Sequence, residues 1–408
     1  MLVPEKYWRE DYKMSMNEDV LSLLKDLIRC KSLSGEEQGV ADILQNYLKE
    51  NGFQSAETDR YGSLVAGVKG SRPGKRILFD GHIDTVPAEN ASAWTTPPFE
   101  PSVRDGKLYG RGTSDMKGAD AAFAVAAATF LREVGTDFSG ELWYAGVVQE
   151  ECFEGVCAKE VDHRVHPDLV IIGEASEGNM KLSQRGRAEI TLETFGVPCH
   201  SSNPQKGVNA AAQMCKLITE ILKLPPSKDS RMQGDGILVL TDLHSEPYPG
   251  ASVVPHYCKA TFDRRLLVGE TRENVLAPIQ AIIDREKELD PTLNARVFYP
   301  HGSAVCSTGE TVEAERFFAP WLYEPDETML RVQAAMQKRG YDPKFTGYSF
   351  CTNGSYYAGE AHIPTFGFGP SREDLAHTVD EYVALSDLYA AADCYLAALY
   401  ALLKPENL

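Results

Sequence analysis

The sequence predicts an α/β fold with a second, ferredoxin-like unit inserted into it. Over the first 183 residues, short apolar runs that end in polar or glycine-rich turns alternate with helical stretches. Between about 184 and 310 the rhythm becomes β-α-β-β-α-β, the split ferredoxin-like order. Residues 311–408 then return to helix and short strand.

The elements follow in order. The opening reads as helices: Ser34-Gly35-Glu36-Glu37 fits a capping box, Val40, Ile43, Leu44, Tyr47 and Leu48 follow at helical spacing, and Gly52 stands where a C′ glycine belongs. Strands are expected at Ser63–Val68, Arg76–Phe79, Glu141–Val148 and Asp168–Ile172, with a helix over about 116–134. In the inserted unit, strands are expected at Arg187–Phe195, Gly236–Leu243, His256–Arg265 and Asn294–Tyr299. Its helices fall at about 208–224, closed by Pro225-Pro226, and about 271–289. An apolar-rich helix over 386–403 ends the pattern, and the expected hinges are Gln184–Gly186 and a segment around 300–312.

Composition narrows the function. Lys+Arg 41 against Asp+Glu 59 gives a net charge of −18, which repels phosphate backbones and argues against nucleic-acid or anionic-membrane partners. Hydrophobic content of 43% with 25% charged residues is ordinary globular composition. The longest apolar stretch, Ala121 to Leu131, is far short of a bilayer span, and the charged N-terminal segment lacks the apolar core of a signal peptide. Nine irregularly spaced cysteines read as reduced, mostly buried thiols, so a soluble, cytoplasmic protein is expected.

Five polar signals stand near the ends of expected strands or helices of the first and last segments. They are His82 with Asp84 in GHIDTVP, Asp115 in GRGTSDMKG, Glu150-Glu151 after an apolar strand, Glu174 in IIGEAS, and His377 in AHTVDE. His82 and Asp84, two apart at a strand end, share a side, so the imidazole can bind a metal while the carboxylate holds its other nitrogen. Adjacent glutamates repel unless a cation or proton lies between them, and one of the pair can serve as a general base. Each signal alone has an ordinary explanation: a capped loop histidine, a helix N-cap, a solvated acidic turn. Together they are hard oxygen ligands plus imidazoles, near the strand ends where α/β sheets place their sites, and they suit a zinc, manganese or cobalt centre.

The ordered set GHIDTVP, GRGTSDMKG, QEE, IIGEAS, CHSSNP, SVVP with FDRR, and AHTVDE resembles the zinc-dependent amidohydrolases and exopeptidases that include carboxypeptidase G, acetylornithine deacetylase and succinyl-diaminopimelate desuccinylase. The resemblance covers residues 17–402, and FDRRLLVGET looks most like a branch linked by name to selenium metabolism. It implies an α/β, mixed-sheet, di-zinc exopeptidase-like catalytic domain in two parts, 1–183 and 311–408, with 184–310 as an inserted lid and dimerisation domain. It also implies that Asp115 bridges two divalent ions (zinc, with cobalt or manganese as alternatives), with His82 and Glu174 completing one site and Glu151 and His377 the other. Glu150 would be the general base, Asp84 would orient His82, and a cis peptide would follow Asp115. His200 would reach the partner subunit's site to stabilise an oxyanion. Arg265 would grip a substrate carboxylate, although either arginine of the pair Arg264-Arg265 suits a structural ion pair. Two departures fall near the expected substrate pocket: Ser252 stands before Val-Val-Pro where asparagine is common, and Thr352-Asn353-Gly354 replaces Thr-Asp-Gly.

The implied activity is hydrolysis of an amide bond in a small N-acyl or N-carbamoyl amino acid or related compound, by metal-activated water, in a homodimer formed through the lid. Glu174 favours this deacylase side, because the family's aminopeptidases more often use aspartate there. The alternatives are a dipeptidase or carboxypeptidase-type exopeptidase, and a non-catalytic metal-binding dimer.

Overall fold

The computed structural model describes residues 10–232 and 234–404. The first part of the chain supplies α1 (Glu10–Arg29), α2 (Gln38–Glu50), β1 (Ser55–Thr58), β2 (Leu64–Lys69), β3 (Arg72–His82), β4 (Ser102–Arg104), β5 (Lys107–Tyr109), α3 (Lys117–Val134), β6 (Ser139–Val147), α4 (Ala158–Val165), β7 (Leu169–Ile172) and β8 (Met180–Gln184). The middle supplies β9 (Gly186–Phe195), α5 (Ala210–Ile221), β10 (Ile237–Glu246), β11 (Tyr257–Leu266), α6 (Arg272–Leu289) and β12 (Ala295–Phe298). The last part supplies β13 (His301–Val305), β14 (Thr311–Glu315), β15 (Phe317–Phe318), β16 (Trp321–Leu322), α7 (Glu327–Lys338), β17 (Phe345–Tyr348), β18 (Thr365–Gly367), β19 (Tyr382–Ala384) and α8 (Leu385–Leu403).

Among the described residues, the larger sheet runs β1-β2-β6-β3-β7-β18-β8-β16, with β17 also on β8. Its centre, β6-β3-β7-β18, is parallel, its flanking pairs β1-β2, β2-β6, β18-β8 and β8-β16 are antiparallel, and β17 runs parallel to β8, so the sheet is mixed. The C-terminal ends of β3, β6 and β7 are continuously buried, as in strands covered on both faces. Helix α3 packs between α1, α8 and β3. Residues 117–131 of α3 are all buried, which fits a helix that is apolar and small-residue-rich all round rather than along one stripe. Phe79 of β3 stacks on Phe123 of α3 with centroids 4.0 Å apart, and Tyr395 of α8 meets both rings edge-on.

A second sheet of order β10-β11-β9-β12 is antiparallel throughout, with α5 and α6 on it and its own apolar core around Ile190, Leu217, Phe262 and Ile279. In chain order this is β-α-β-β-α-β. Residue 184 ends β8 of the large sheet, and β9 begins two residues later. Residue 310 falls in the turn of the β13–β14 ribbon, and β15 still pairs with β9 before β16 rejoins the large sheet.

One expected local signal is overturned. Helix α2 begins at Gln38 with Glu37 at its N-cap and no capping side-chain bond. Ser34 instead donates its hydroxyl to Asp84 Oδ2 at 2.7 Å, and Glu37 Oε1 accepts from the Gly35 amide at 2.8 Å. A buried carboxylate outside the helix has captured the serine. A true capping box occurs at α6, where Thr271 and Asn274 exchange side-chain and main-chain bonds. All nine cysteines are free thiols. No helix among the described residues is long and apolar enough to cross a membrane.

Because Phe123 is fully buried against Phe79, Tyr144 and Tyr395, Phe123→Ala is expected to destabilise the protein by about 3–5 kcal/mol in denaturant titrations. A loss under about 1 kcal/mol would show that this stack is not a tightly packed centre.

Candidate metal centre

Three neighbouring parallel strands deliver the first side chains level with one another. In register, His82 of β3 lies opposite Val147 of β6, and Asp80 of β3 lies opposite Ile172 of β7. Two residues past Ile172, Glu174 therefore reaches the height of His82, and Glu150-Glu151 begin three residues past Val147. Asp115 arrives from the loop before α3, at a cis peptide to Met116. His377 arrives from the far end of the chain, in the left-handed region at φ 61°.

These residues converge. His82 Nε2 lies 2.8 Å from Asp115 Oδ1 and 3.5 Å from Glu174 Oε1. His377 Nε2 lies 3.1 Å from Asp115 Oδ2 and 3.0 Å from Glu151 Oε2. Asp115 thus turns one oxygen to each imidazole. The two triads, His82–Asp115–Glu174 and Asp115–Glu151–His377, each offer ligand atoms within 4.8 Å of one another. A tetrahedral ion bound at about 2.1 Å sets its ligand atoms roughly 3.4 Å apart, so the donor spacing fits a zinc-sized cation in each triad.

The electrostatics agree. Burial pushes the carboxyls of Glu151 and Glu174 up to about 7, and that of Glu150 well above its usual range, with the neighbouring acids adding to burial. Burial also works to raise Asp115, but hydrogen bonds from His377 and His82 outweigh it and hold this carboxylate below its usual range. Asp115 and Glu151 in turn push His377 up to about 10. Burial acts to lower His82, yet the carboxylates of Asp115, Asp84 and Glu174 hold its pKa well above the usual imidazole value. So many buried acids around two imidazoles call for positive charge, which a cation supplies. Glu150 Oε1 and Glu151 Oε1 are buried without a hydrogen-bond partner, as oxygens facing a metal or its water are left by the protein alone.

Asp84 reaches this cluster mainly through other atoms than its sequence position suggests. His82 Nδ1 meets the main-chain carbonyl of Asp84 at 2.9 Å, while its carboxylate is 3.6 Å away. That carboxylate accepts from the amides of Glu150 at 3.1 Å and Glu151 at 3.3 Å. One residue therefore fixes the imidazole with its backbone and the glutamate pair with its side chain.

Beside the cluster opens a cavity of about 330 Å³ lined by Glu150, Glu154, Arg187, Arg265 and Phe350 among others. Arg265 lines it, with its Nε donating to Asp263 Oδ1 at 2.8 Å, and its neighbour Arg264 is tied to Glu270 and Ser227. Arg187 grips Glu154, with Nε 2.7 Å from Oε1. His200 is not part of this lining: it is exposed on the second unit, its Nδ1 accepting from the amide of Ser202 at 3.1 Å. Ser252 lies in the exposed 249–253 loop, at φ 57°.

Sequence reasoning passed over the supports. Arg111 and Glu381 form a buried ion pair at 2.6 Å, and Glu381 Oε1 accepts from the amides of Ser114 at 2.7 Å and Asp115 at 3.2 Å. This pair fastens the Asp115 loop to the His377 loop. Both residues sit inside the motifs GRGTSDMKG and AHTVDE, and an arginine among glycines was the available signal. Lys117, fully buried, donates to the carbonyls of Leu27 at 3.0 Å and Cys30 at 2.9 Å and so anchors the start of α3.

Fold and cluster together define a metal-dependent hydrolase built on an α/β sheet. The chain belongs to peptidase family M20/M25/M40, whose family model matches residues 78–401. It is 31% identical over 384 residues, 93% of each chain, to the uncharacterized protein YgeY of Escherichia coli (strain K12). It is 28% identical over 389 residues to succinyl-diaminopimelate desuccinylase 2 of Ruegeria sp. (strain TM1040), covering 92% of this chain and 93% of that one. Its fold matches the YXEP protein of Bacillus subtilis, described as a dinuclear metal binding peptidase of the M20 family, with a TM-score of 0.71 at 14% identity over 95% of this chain and 98% of the other.

Glu381→Ala would leave Arg111 and two buried amides without their acceptor. It is expected to cost about 3–5 kcal/mol of stability and to weaken metal binding about tenfold or more. Calorimetric titration with zinc and a denaturant curve on the same variant measure both, and unaltered metal affinity would count against the support assigned to this pair.

Proposed function

We propose that the protein hydrolyses an amide bond of a small N-acyl or N-carbamoyl amino acid or a related compound. The observation that carries this reading is the Asp115 carboxylate shared between two imidazole–carboxylate triads, with Glu150 beside it at a cavity that also holds Arg265. The name of the desuccinylase relative, an enzyme that removes an acyl group, supports the same reaction class.

In this reading His82, Asp115 and Glu174 hold one divalent ion and Asp115, Glu151 and His377 a second, zinc being the expected metal. When bound, such a pair supplies Lewis acidity that polarises the amide carbonyl and acidifies water. Glu150 takes the proton of the attacking water and returns it to the leaving nitrogen. A buried carboxyl with one oxygen free of partners and a raised proton affinity suits a group that takes a proton from water and hands it on to the leaving nitrogen. Asp84 keeps Glu150 in place by accepting from its amide. Arg265 offers a planar fork to a substrate carboxylate.

The unit over 184–310 acts as a lid and as the surface of a homodimer, working in the cytoplasm. His200, exposed on that unit and outside the cavity of its own chain, would reach the site of a second copy and donate to the developing oxyanion.

The test is amine release from N-acyl amino acids, N-carbamoyl amino acids and free dipeptides, using chelator-stripped protein reloaded with zinc, manganese or cobalt. Metal-dependent release from the acylated or carbamoylated members is expected. Preference for free dipeptides would replace the reading with an exopeptidase, and silence with metal bound would favour a non-catalytic metal-binding dimer. Glu150→Gln is expected to lower turnover about 10²–10⁴-fold with metal still bound, and near-normal turnover would remove Glu150 from its role. Mixing Glu150→Gln chains with His200→Asn chains under subunit exchange should restore roughly a quarter of wild-type activity, because half of randomly paired dimers then carry one intact site. No recovery after proven exchange would place His200 outside the partner's site.

A further inference from the structure

The loop over 149–157 carries Glu150, Glu151 and Glu154, and it is held at two ends. At its start, Asp84 accepts from the amides of Glu150 and Glu151. At its far end the Gly155 amide donates to Asn353 Oδ1 at 2.8 Å. Gly155 has φ 86°, and a Cβ there would lie 2.8 Å from Tyr356 Cβ and 2.9 Å from its amide nitrogen, so the loop closes directly on the segment that bears Asn353. The other half of the same side chain, Nδ2, donates to Asp80 Oδ1 at 2.8 Å. Asp80 stands two residues before His82 on β3, and Asp80 and Asn353 are 1% and 2% exposed.

The two neighbours dictate the residue. A main-chain amide can only donate and a carboxylate can only accept, so the side chain between them must accept on one side and donate on the other. A carboxamide does both. An aspartate at 353 would satisfy Gly155 but would meet Asp80 carboxyl to carboxyl, two acids that can bond only by keeping a proton between them, which the carboxamide does not need. Exchanging the two residues preserves every bond: an asparagine at 80 would donate to an aspartate at 353, which would still accept from Gly155.

We propose that Asn353 is a positioning residue of this site, holding the Glu150 loop against strand β3 by bridging Gly155 to Asp80. The catalytic part of the proposal rests on Glu150 being the base; the part concerning the loop does not. The side chain of Asn353 is absent from the cavity lining, so it acts on the reaction through the loop and not through substrate.

The test compares Asn353→Ala, Asn353→Asp, Asp80→Asn and the exchanged pair Asp80→Asn/Asn353→Asp as metal-loaded full-length protein, well below each unfolding midpoint. Asn353→Ala and Asn353→Asp should lower kcat about tenfold or more with KM within about threefold of wild type. Both should speed amide hydrogen exchange in peptides spanning 149–157 by about tenfold. Asp80→Asn, which keeps an acceptor for Asn353, should rescue Asn353→Asp in both readouts and leave Asn353→Ala unrescued. If Asn353→Asp does not fold, recovery of folding in the exchanged pair is the same rescue. Unchanged exchange in Asn353→Ala, or an exchanged pair no better than Asn353→Asp, overturns the proposal. Faster exchange with unaltered kcat overturns its catalytic part and leaves only a structural tie. A wild-type protein silent toward every amide would sink the amidase reading instead, while the exchange measurements still decide the role of Asn353 in the loop.

Discussion

Everything at the candidate site turns on the carboxylate of Asp115, whose two oxygens face different imidazoles 2.8 and 3.1 Å away. A carboxylate used on both sides must be held from behind, and the surrounding structure does this. The main-chain amides before it dock on Glu381, Glu381 is neutralised by Arg111, and the helix that follows is anchored by Lys117 and walled in by aromatic rings. Isolated buried charges destabilise a fold, and several here are paired with groups from distant parts of the chain, Glu381 with Arg111 and Asp115 with His82 and His377, while the surplus of carboxylates is what a bound cation would offset.

The parallel centre of the sheet explains why the other groups gather at one height. Strands in register end together, so a residue placed two or three positions beyond each apolar run lands in the same layer. That regularity is also why so much of the site was legible in the sequence. The apolar runs ending at Phe79, Val148 and Ile172 mark the ends of the strand interiors, and His82, Glu150-Glu151 and Glu174 all follow within three residues of them. The β-α-β-β-α-β order of the middle segment was equally plain, because its strands and amphipathic helices are long and punctuated.

What stayed hidden depends on distant pairing. Ser34 reads as a helix cap until Asp84, fifty residues away, competes for its hydroxyl. Glu381 and Asn353 look like ordinary loop residues, since their partners lie 270 and 273 positions away. Short strands such as β15 and β16 have no pattern of their own and exist only because β9 and β8 offer free edges. The departure from Thr-Asp-Gly at 352–354 suggested a change in the substrate pocket. In the structure that side chain faces Asp80 and Gly155, so its identity follows from the polarity of its neighbours.

The two triads differ in how much chain they enclose. The ends of the first triad, His82 and Glu174, are 92 residues apart, whereas those of the second, Asp115 and His377, are 262 apart. An ion in the second triad would therefore act as a cross-link across more than half the polypeptide, tying its final quarter to its first half. By loop-closure entropy the longer span is worth about 0.9 kcal/mol more than the shorter one, before any difference in ligand strength. A group placed for chemistry thus doubles as a clasp on the topology.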